Sequence, residues 1–260
     1  MNKLIYAENY DGMSALAADM MVRIVRDNPR AVVVIATGGS PRLAYRIFCS
    51  RAKSEGIDVS GVTFVKLDEW LGLEPTDEAT CEFFIRRELL DPLGISEDKF
   101  IHFDSLAPDA KVECARFRAE FDALPSVDLV TLGIGKNGHL GLNEPSDHLF
   151  TRAHTVELEA KTRTHEMLTH TGVNVTRGIT MGLAEIFRGK EIMLLATGGE
   201  KAHLKDYLTD DRITTEAPFT LLKLHPGCTC FVVVFIFLRP FIMALAATRI
   251  SSQPILYRYL

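Results

Sequence analysis

The chain has 260 residues, 47% of them hydrophobic and 24% charged, and a formal net charge of −5. That length buries one large core, so a single domain is the expected organisation. The acidic balance of 29 Lys and Arg against 34 Asp and Glu, with no Lys/Arg cluster, argues against a nucleic-acid-binding surface, although a small anion needs only a few well-placed donors.

The N-terminus moves from Met1–Tyr6 straight into Glu8 and Asp11, with no apolar stretch of signal-peptide type. Met13, Leu16, Ala17, Met20 and Ile24 recur at helical spacing and predict an amphipathic helix over Ser14–Arg26. Ala31–Ala36 is a continuous β-branched run, the pattern of a strand buried on both faces, and Pro41 then opens a helix to about Lys53. Val62–Leu67, Leu129–Leu132 and Ile192–Ala196 read as further strands, the last followed by Gly-Gly and a helix from about Glu200. Leu221–Leu224 and Thr229–Phe235 complete the list of expected strands. Such alternation predicts a three-layer, Rossmann-like α/β fold, a mostly parallel sheet with helices on both faces and ligands beyond the carboxyl ends of its strands. One domain over residues 1–238 is expected, followed by an atypical tail over 239–260. The apolar run Phe231–Ala247 has Arg239-Pro240 near its middle, so a buried strand to about Leu238 is expected there rather than a membrane span. The scattered cysteines (49, 81, 114, 228 and 230) suit reduced thiols in the cytoplasm. Cys228-Thr229-Cys230 lacks a partner pair at zinc-like spacing and is expected to be plain strand, so no metal is expected.

Glycine-rich or acidic turns follow these strands. Thr37-Gly38-Gly39-Ser40-Pro41 offers backbone N–H groups, hydroxyls and a helix N-terminus to an anion, or else is a tight turn needing glycine for geometry alone. It is neither a Walker loop nor a dinucleotide fingerprint. Thr197-Gly198-Gly199-Glu200-Lys201 repeats the arrangement, with Lys201 either a point charge for phosphate or a solvated surface lysine. In Lys66-Leu67-Asp68-Glu69-Trp70, one carboxylate can serve as a proton-transfer base and the other as a structural acceptor, or both can be solvated. Gly133–Pro145 is denser: closely spaced glycines flank His139, with Asn137 and Glu144 nearby. Such a segment cannot be helical, and a histidine oriented by a carboxylate can shuttle protons near neutral pH.

These motifs resemble the glucosamine-6-phosphate deaminase family. The resemblance rests on Ala36–Pro41, Leu67–Trp70 and Asn137–Pro145, in order, over residues about 1–230. The G-H-x-x-x-N-E-P element is also unlike the G-H-x-A-S-L-F-P of phosphogluconolactonases, which share the fold. Thr63–Trp70, Gly135–Leu140 and Val175–Thr180 are most similar to the galactosamine-6-phosphate deaminase/isomerase branch. The resemblance implies conversion of D-galactosamine 6-phosphate to D-tagatose 6-phosphate and ammonia, or of the glucosamine epimer to fructose 6-phosphate. His139 would open the sugar ring, Glu144 and Asn137 would orient His139, and Asp68 would move a proton from C2 to C1. Thr37, Gly38, Gly39, Ser40 and Lys201 would hold the phosphate, with no cofactor and no metal. A small amino-sugar phosphate is then the expected partner, with neither nucleic acid nor membrane, and homo-oligomers are common among such proteins.

Three departures stand out. Asn137 occupies a position where relatives can carry Asp, and Asn cannot be a base. The arginine that helps bind phosphate in better-known deaminases falls at Leu168, leaving Arg163, His165 or Arg177 as substitutes. Likeness fades after about Cys230, which suggests an altered C-terminus that an intact-mass measurement would test. The rival functions are a lactonase-like hydrolase and a non-catalytic sugar-phosphate sensor; ammonia release separates both from a deaminase.

Overall fold

The computed structural model describes residues 3–169 and 171–234. In chain order the elements are β1 (Lys3–Ala7), α1 (Tyr10–Asp27), β2 (Val32–Ile35), α2 (Gly39–Ser54), β3 (Thr63–Lys66), β4 (Asp68–Trp70), α3 (Cys81–Ile85), α4 (Asp91–Leu93), β5 (Phe100–Ile101) and α5 (Ala110–Asp122). Then come β6 (Val127–Gly133), β7 (His154–Glu157), α6 (Ala160–Arg163), β8 (Arg177–Thr180), α7 (Leu183–Ile186), β9 (Gly189–Ala196), α8 (Lys205–Thr209) and β10 (Cys228–Val233).

A seven-stranded sheet runs β1-β10-β9-β6-β2-β3-β5, every described pair parallel. Alternation along β2 shows why it must lie between two layers. Val33 and Ile35 face one core with α1 and α2, while Val32 and Val34 face another with Phe117 and Phe121 of α5. The expected α/β sandwich is therefore present. Two features were not expected. A second, antiparallel sheet, β4-β8-β7, sits beyond the end of β3. Leu221–Leu224 belongs to a 3-10 helix, Pro218–Leu224, rather than a strand; a short apolar run does not reveal its period, and Pro218 suits a first helical turn. The helix expected from Glu200 begins as a 3-10 segment, Gly199–Leu204, before α8.

The chain leaves β2 toward β3 on one side and later returns to β6 on its other side. Loops after β2 and β6 therefore part in opposite directions and leave a crevice at the strand ends. The ladder between these strands is short, pairing Val33 with Leu129 and Val34 with Val130. Beyond it the Thr131 hydroxyl takes over, donating to the Val34 carbonyl at 2.9 Å and accepting from the Ala36 N–H at 3.0 Å. The strands can then splay without orphaning backbone groups.

The expected strand beyond Val234 and the 239–260 tail lie outside the described residues. Among the described residues no helix is long and apolar enough to cross a membrane.

Candidate active site

At the β2/β6 crevice is a cavity of about 350 Å³ lined by the turns after β2, β3, β6 and β9. Thr37, Gly38, Gly39, Ser40, Asp68, His139 and Lys201 all line it. Asn137 and Glu144 stand behind His139 instead, outside the lining.

The loop after β6 is shaped around its histidine. Gly135 N–H donates to the His139 carbonyl at 3.1 Å and Gly138 N–H to the Gly135 carbonyl at 3.0 Å. The imidazole lies directly on Gly135, where a Cβ would fall 2.2 Å from the ring, so only glycine fits. Asn143 pins the far side of the loop, its amide donating to the Leu140 and Met181 carbonyls at 2.8 and 2.9 Å. His139 Nδ1 faces Glu144 Oε2 at 3.3 Å and Thr162 Oγ1 at 3.3 Å. A carboxylate only accepts, so Nδ1 carries the hydrogen and Nε2 keeps a lone pair for the cavity. Asn137 donates to Glu144 Oε2 at 2.8 Å and to Glu159 Oε2 at 2.7 Å, and its Oδ1 accepts from the His139 N–H at 3.3 Å. Its amide thus braces the Glu144 carboxylate. Burial opposes ionisation of Glu144, but hydrogen bonds from His139, Thr162 and Asn137 outweigh it and hold the carboxyl below its ordinary value.

The two carboxylates after β3 have separate fates. Glu69 is fully buried and accepts from Lys66 Nζ (2.8 Å) and from the N–H groups of Trp70 (2.8 Å), Cys81 (2.9 Å) and Glu82 (2.9 Å). It ties β3 and β4 to the start of α3 and has no capacity left for chemistry. Asp68 is also buried, with one thiol contact, Cys81 Sγ at 3.7 Å. Burial, reinforced by the Glu69 charge and partly offset by His139, pushes Asp68 up to about 7. A carboxyl poised there can take and return a proton at neutral pH.

The opposite part of the cavity suits an anion. Gly38, with φ of 99°, caps α2 without a side-chain acceptor, and Gly38, Gly39 and Ser40 at this helix start line the opening. Tyr10, unremarked in the sequence, stiffens this turn: its hydroxyl donates to the Gly39 carbonyl at 2.6 Å and accepts from the Leu43 N–H at 3.1 Å. Lys201 faces the same space. Its affinity for a proton is lowered by burial, against the raising effect of Glu200 and Glu166.

The proposed arginine substitutes behave differently from one another. Leu168 is buried. Arg163 donates to the Leu158 carbonyl at 2.8 Å and Arg177 pairs with Glu157 at 3.3 Å; neither lines the cavity. His165 does, but burial, with the charges of His139, Lys136, Lys201 and Arg42, drives it down to about 4, leaving it neutral at pH 7. Lys136, Lys161 and Thr162 also line the cavity, none of them marked by the sequence reading. Lys136 lay inside a noted motif, but only its placement shows that it faces the site.

Known proteins bear on this architecture. The chain is 40% identical over 225 residues to the Escherichia coli K12 protein named "Putative deaminase AgaI", covering 86% of this chain and 89% of that one. It is 33% identical over 232 residues to the glucosamine-6-phosphate deaminase of Thermoanaerobacter pseudethanolicus, covering 88% and 92%. Among solved structures, a monomeric glucosamine-6-phosphate deaminase superposes with a TM-score of 0.85 at 29% identity, over 90% of this chain and 98% of that chain. The 6-phosphogluconolactonase of Leishmania guyanensis, at 17% identity and TM-score 0.71 over 89% and 95% of the chains, shares the fold. The model of the family described as glucosamine-6-phosphate isomerases/6-phosphogluconolactonase matches residues 7–231, and the chain belongs to that family.

Proposed function

We propose that this protein isomerises and deaminates a hexosamine 6-phosphate, D-galactosamine 6-phosphate, to D-tagatose 6-phosphate and ammonia. The observation that carries this reading is one cavity holding a carboxyl poised near neutral pH, an oriented histidine and an anion-binding turn. His139 Nε2 takes the anomeric hydroxyl proton and returns one to the ring oxygen, giving the open-chain amino aldehyde. Asp68 removes the C2 proton while the aldehyde oxygen takes one from the protonated amino group, giving an enolamine; Asp68 then delivers its proton to C1, leaving a protonated C2 imine. Water adds to that imine and ammonia leaves, so one water is consumed per turnover. The phosphate, held at Thr37, Gly38, Gly39, Ser40 and Lys201, fixes C1 and C2 between the two proton-transfer groups. The steps are opening of the ring C–O bond, proton transfers, hydration of the imine and loss of ammonia from the resulting carbinolamine. Five free, buried cysteines suit a reducing, cytoplasmic setting.

The galactosamine reading rests on the resemblance of Thr63–Trp70, Gly135–Leu140 and Val175–Thr180 to that branch. A glucosamine reading has its own support in the names of relatives such as the Thermoanaerobacter enzyme. The epimers differ at C4 alone. A coupled ammonia-release assay run side by side on both substrates decides between them. The larger kcat/KM identifies the substrate, and no ammonia from either overturns the proposal.

A further inference from the structure

A phosphate monoester carries up to two negative charges near neutral pH, and a site that takes it from water sets fixed cations against it. Two lysines reach the cavity from neighbouring parallel strands. Lys136 follows β6 and Lys201 follows β9, and both line the opening beside Gly38, Gly39 and Ser40. Neither ammonium has a hydrogen-bond or ion-pair partner among the described residues. They are also close enough to oppose each other: the Lys136 charge lowers the proton affinity of Lys201, and both lower that of His165. Glu166 and Glu200 face the same space and partly balance Lys201, yet neither lies within ion-pair distance of either lysine. Like charges held together beside an uncapped helix N-terminus destabilise the empty protein, and an anion between them removes the repulsion.

We propose that Lys136 supplies the second positive charge of the phosphate site and acts with Lys201 as a lysine pair across the ends of β6 and β9. This rests on the hexosamine 6-phosphate reading and names how that substrate's charged end is recognised. The alternatives are used elsewhere or lack charge. Arg163 and Arg177 are engaged outside the cavity, His165 is neutral, and Lys161 is exposed beside Thr162, on the His139 side. Lysine fits this role as a flexible point charge that can follow the phosphate without a fixed bidentate geometry.

The test is binding of D-galactitol 6-phosphate and D-glucitol 6-phosphate, acyclic ligands that cannot isomerise, measured by calorimetry on the full chain. Inorganic phosphate serves as the minimal competitor. Lys136→Met should weaken hexitol phosphate binding by roughly tenfold or more, the size of a lost charged hydrogen bond. In turnover the same change should raise KM far more than it lowers kcat. Lys136→Arg should restore most of the affinity, because it restores the charge; recovery of packing alone would not do so. Unchanged affinity in Lys136→Met, or equal loss in the Met and Arg variants, overturns the assignment, as does failure of the unaltered protein to bind either hexitol phosphate. If the unaltered protein binds these ligands but releases no ammonia from either hexosamine 6-phosphate, the proposed reaction fails. The lysine pair is then still judged by the ratio of dissociation constants.

Discussion

Asp68 and Glu69 are adjacent in sequence, yet only one is saturated with hydrogen-bond donors. Four donors satisfy Glu69, whereas Asp68 meets one weak thiol donor, so burial is scarcely compensated and its proton is held up to about 7. In the proposed reaction Asp68 must be ionised to take the C2 proton. The rate should therefore rise with pH through about 7 and fall away below it, as the pH dependence of kcat/KM, which reports the free enzyme, would show. Asp68→Asn should lower kcat by roughly 10²–10⁴-fold while hexitol 6-phosphate binding stays within about threefold. Full activity in this variant would exclude Asp68 as the base. Glu144 has a different task, since its contact with Nδ1 fixes the imidazole tautomer. Glutamine at 144 can present either an oxygen or an NH2 group, so the tautomer is no longer set. Glu144→Gln should lower kcat by about 10²–10⁴-fold, with nitrogen NMR of His139 showing loss of the Nδ1–H form.

The elements that carry these residues were legible to different degrees, for physical reasons. β2 and β6 are covered on both faces, so their apolar runs announce them. β4, β7 and β8 are three or four residues long and include Asp68, Glu69, His154, Glu157 and Arg177. Such strands show no period, and they exist because they pair with one another beyond the main sheet. His139 and Glu144 were found because five residues of one loop bring them together. Tyr10 and Thr162 arrive from distant elements, through contacts with no local signature. Lys66 lies inside a noted motif that assigned it no role, yet it is completely buried between Glu69 at 2.8 Å and Glu82 at 3.1 Å. Burial opposes its charge, but the two carboxylates raise its proton affinity overall. Lys66→Met would leave both carboxylates without this cation and should destabilise the protein by about 3–5 kcal/mol, read from urea unfolding. A change below about 1 kcal/mol would mean that the network is not what joins β3 and β4 to α3.

At the scale of the whole molecule, a carboxyl held near neutrality inside a crevice has a stability consequence independent of catalysis. An aspartate in the unfolded chain ionises near 3.9, whereas Asp68 in the folded protein ionises at about 7. Between those values the folded protein holds a proton that the unfolded chain has released. Raising the pH across this window therefore favours unfolding through this group, and the effect is complete above about 7 and absent below about 4. A shift of this size corresponds to about 4 kcal/mol at most, with about 2–4 kcal/mol expected once solvent and local rearrangement soften it. Other carboxyls, including Glu82 and Glu144, are held low and act in the opposite direction, so the clean measurement is a difference between variants. Asparagine at 68 removes the titration while keeping the side-chain shape. Urea unfolding of the Asp68→Asn variant and the unaltered protein at pH 4.5 and pH 8 should show the stability difference moving in favour of the variant by about 2–3 kcal/mol at the higher pH. The same difference at both pH values would place Asp68 in the ordinary carboxylate range and remove the reason for treating it as a base tuned to neutral pH. A widening gap would show that the protein gives up stability to hold Asp68, the proposed base, protonated up to neutral pH.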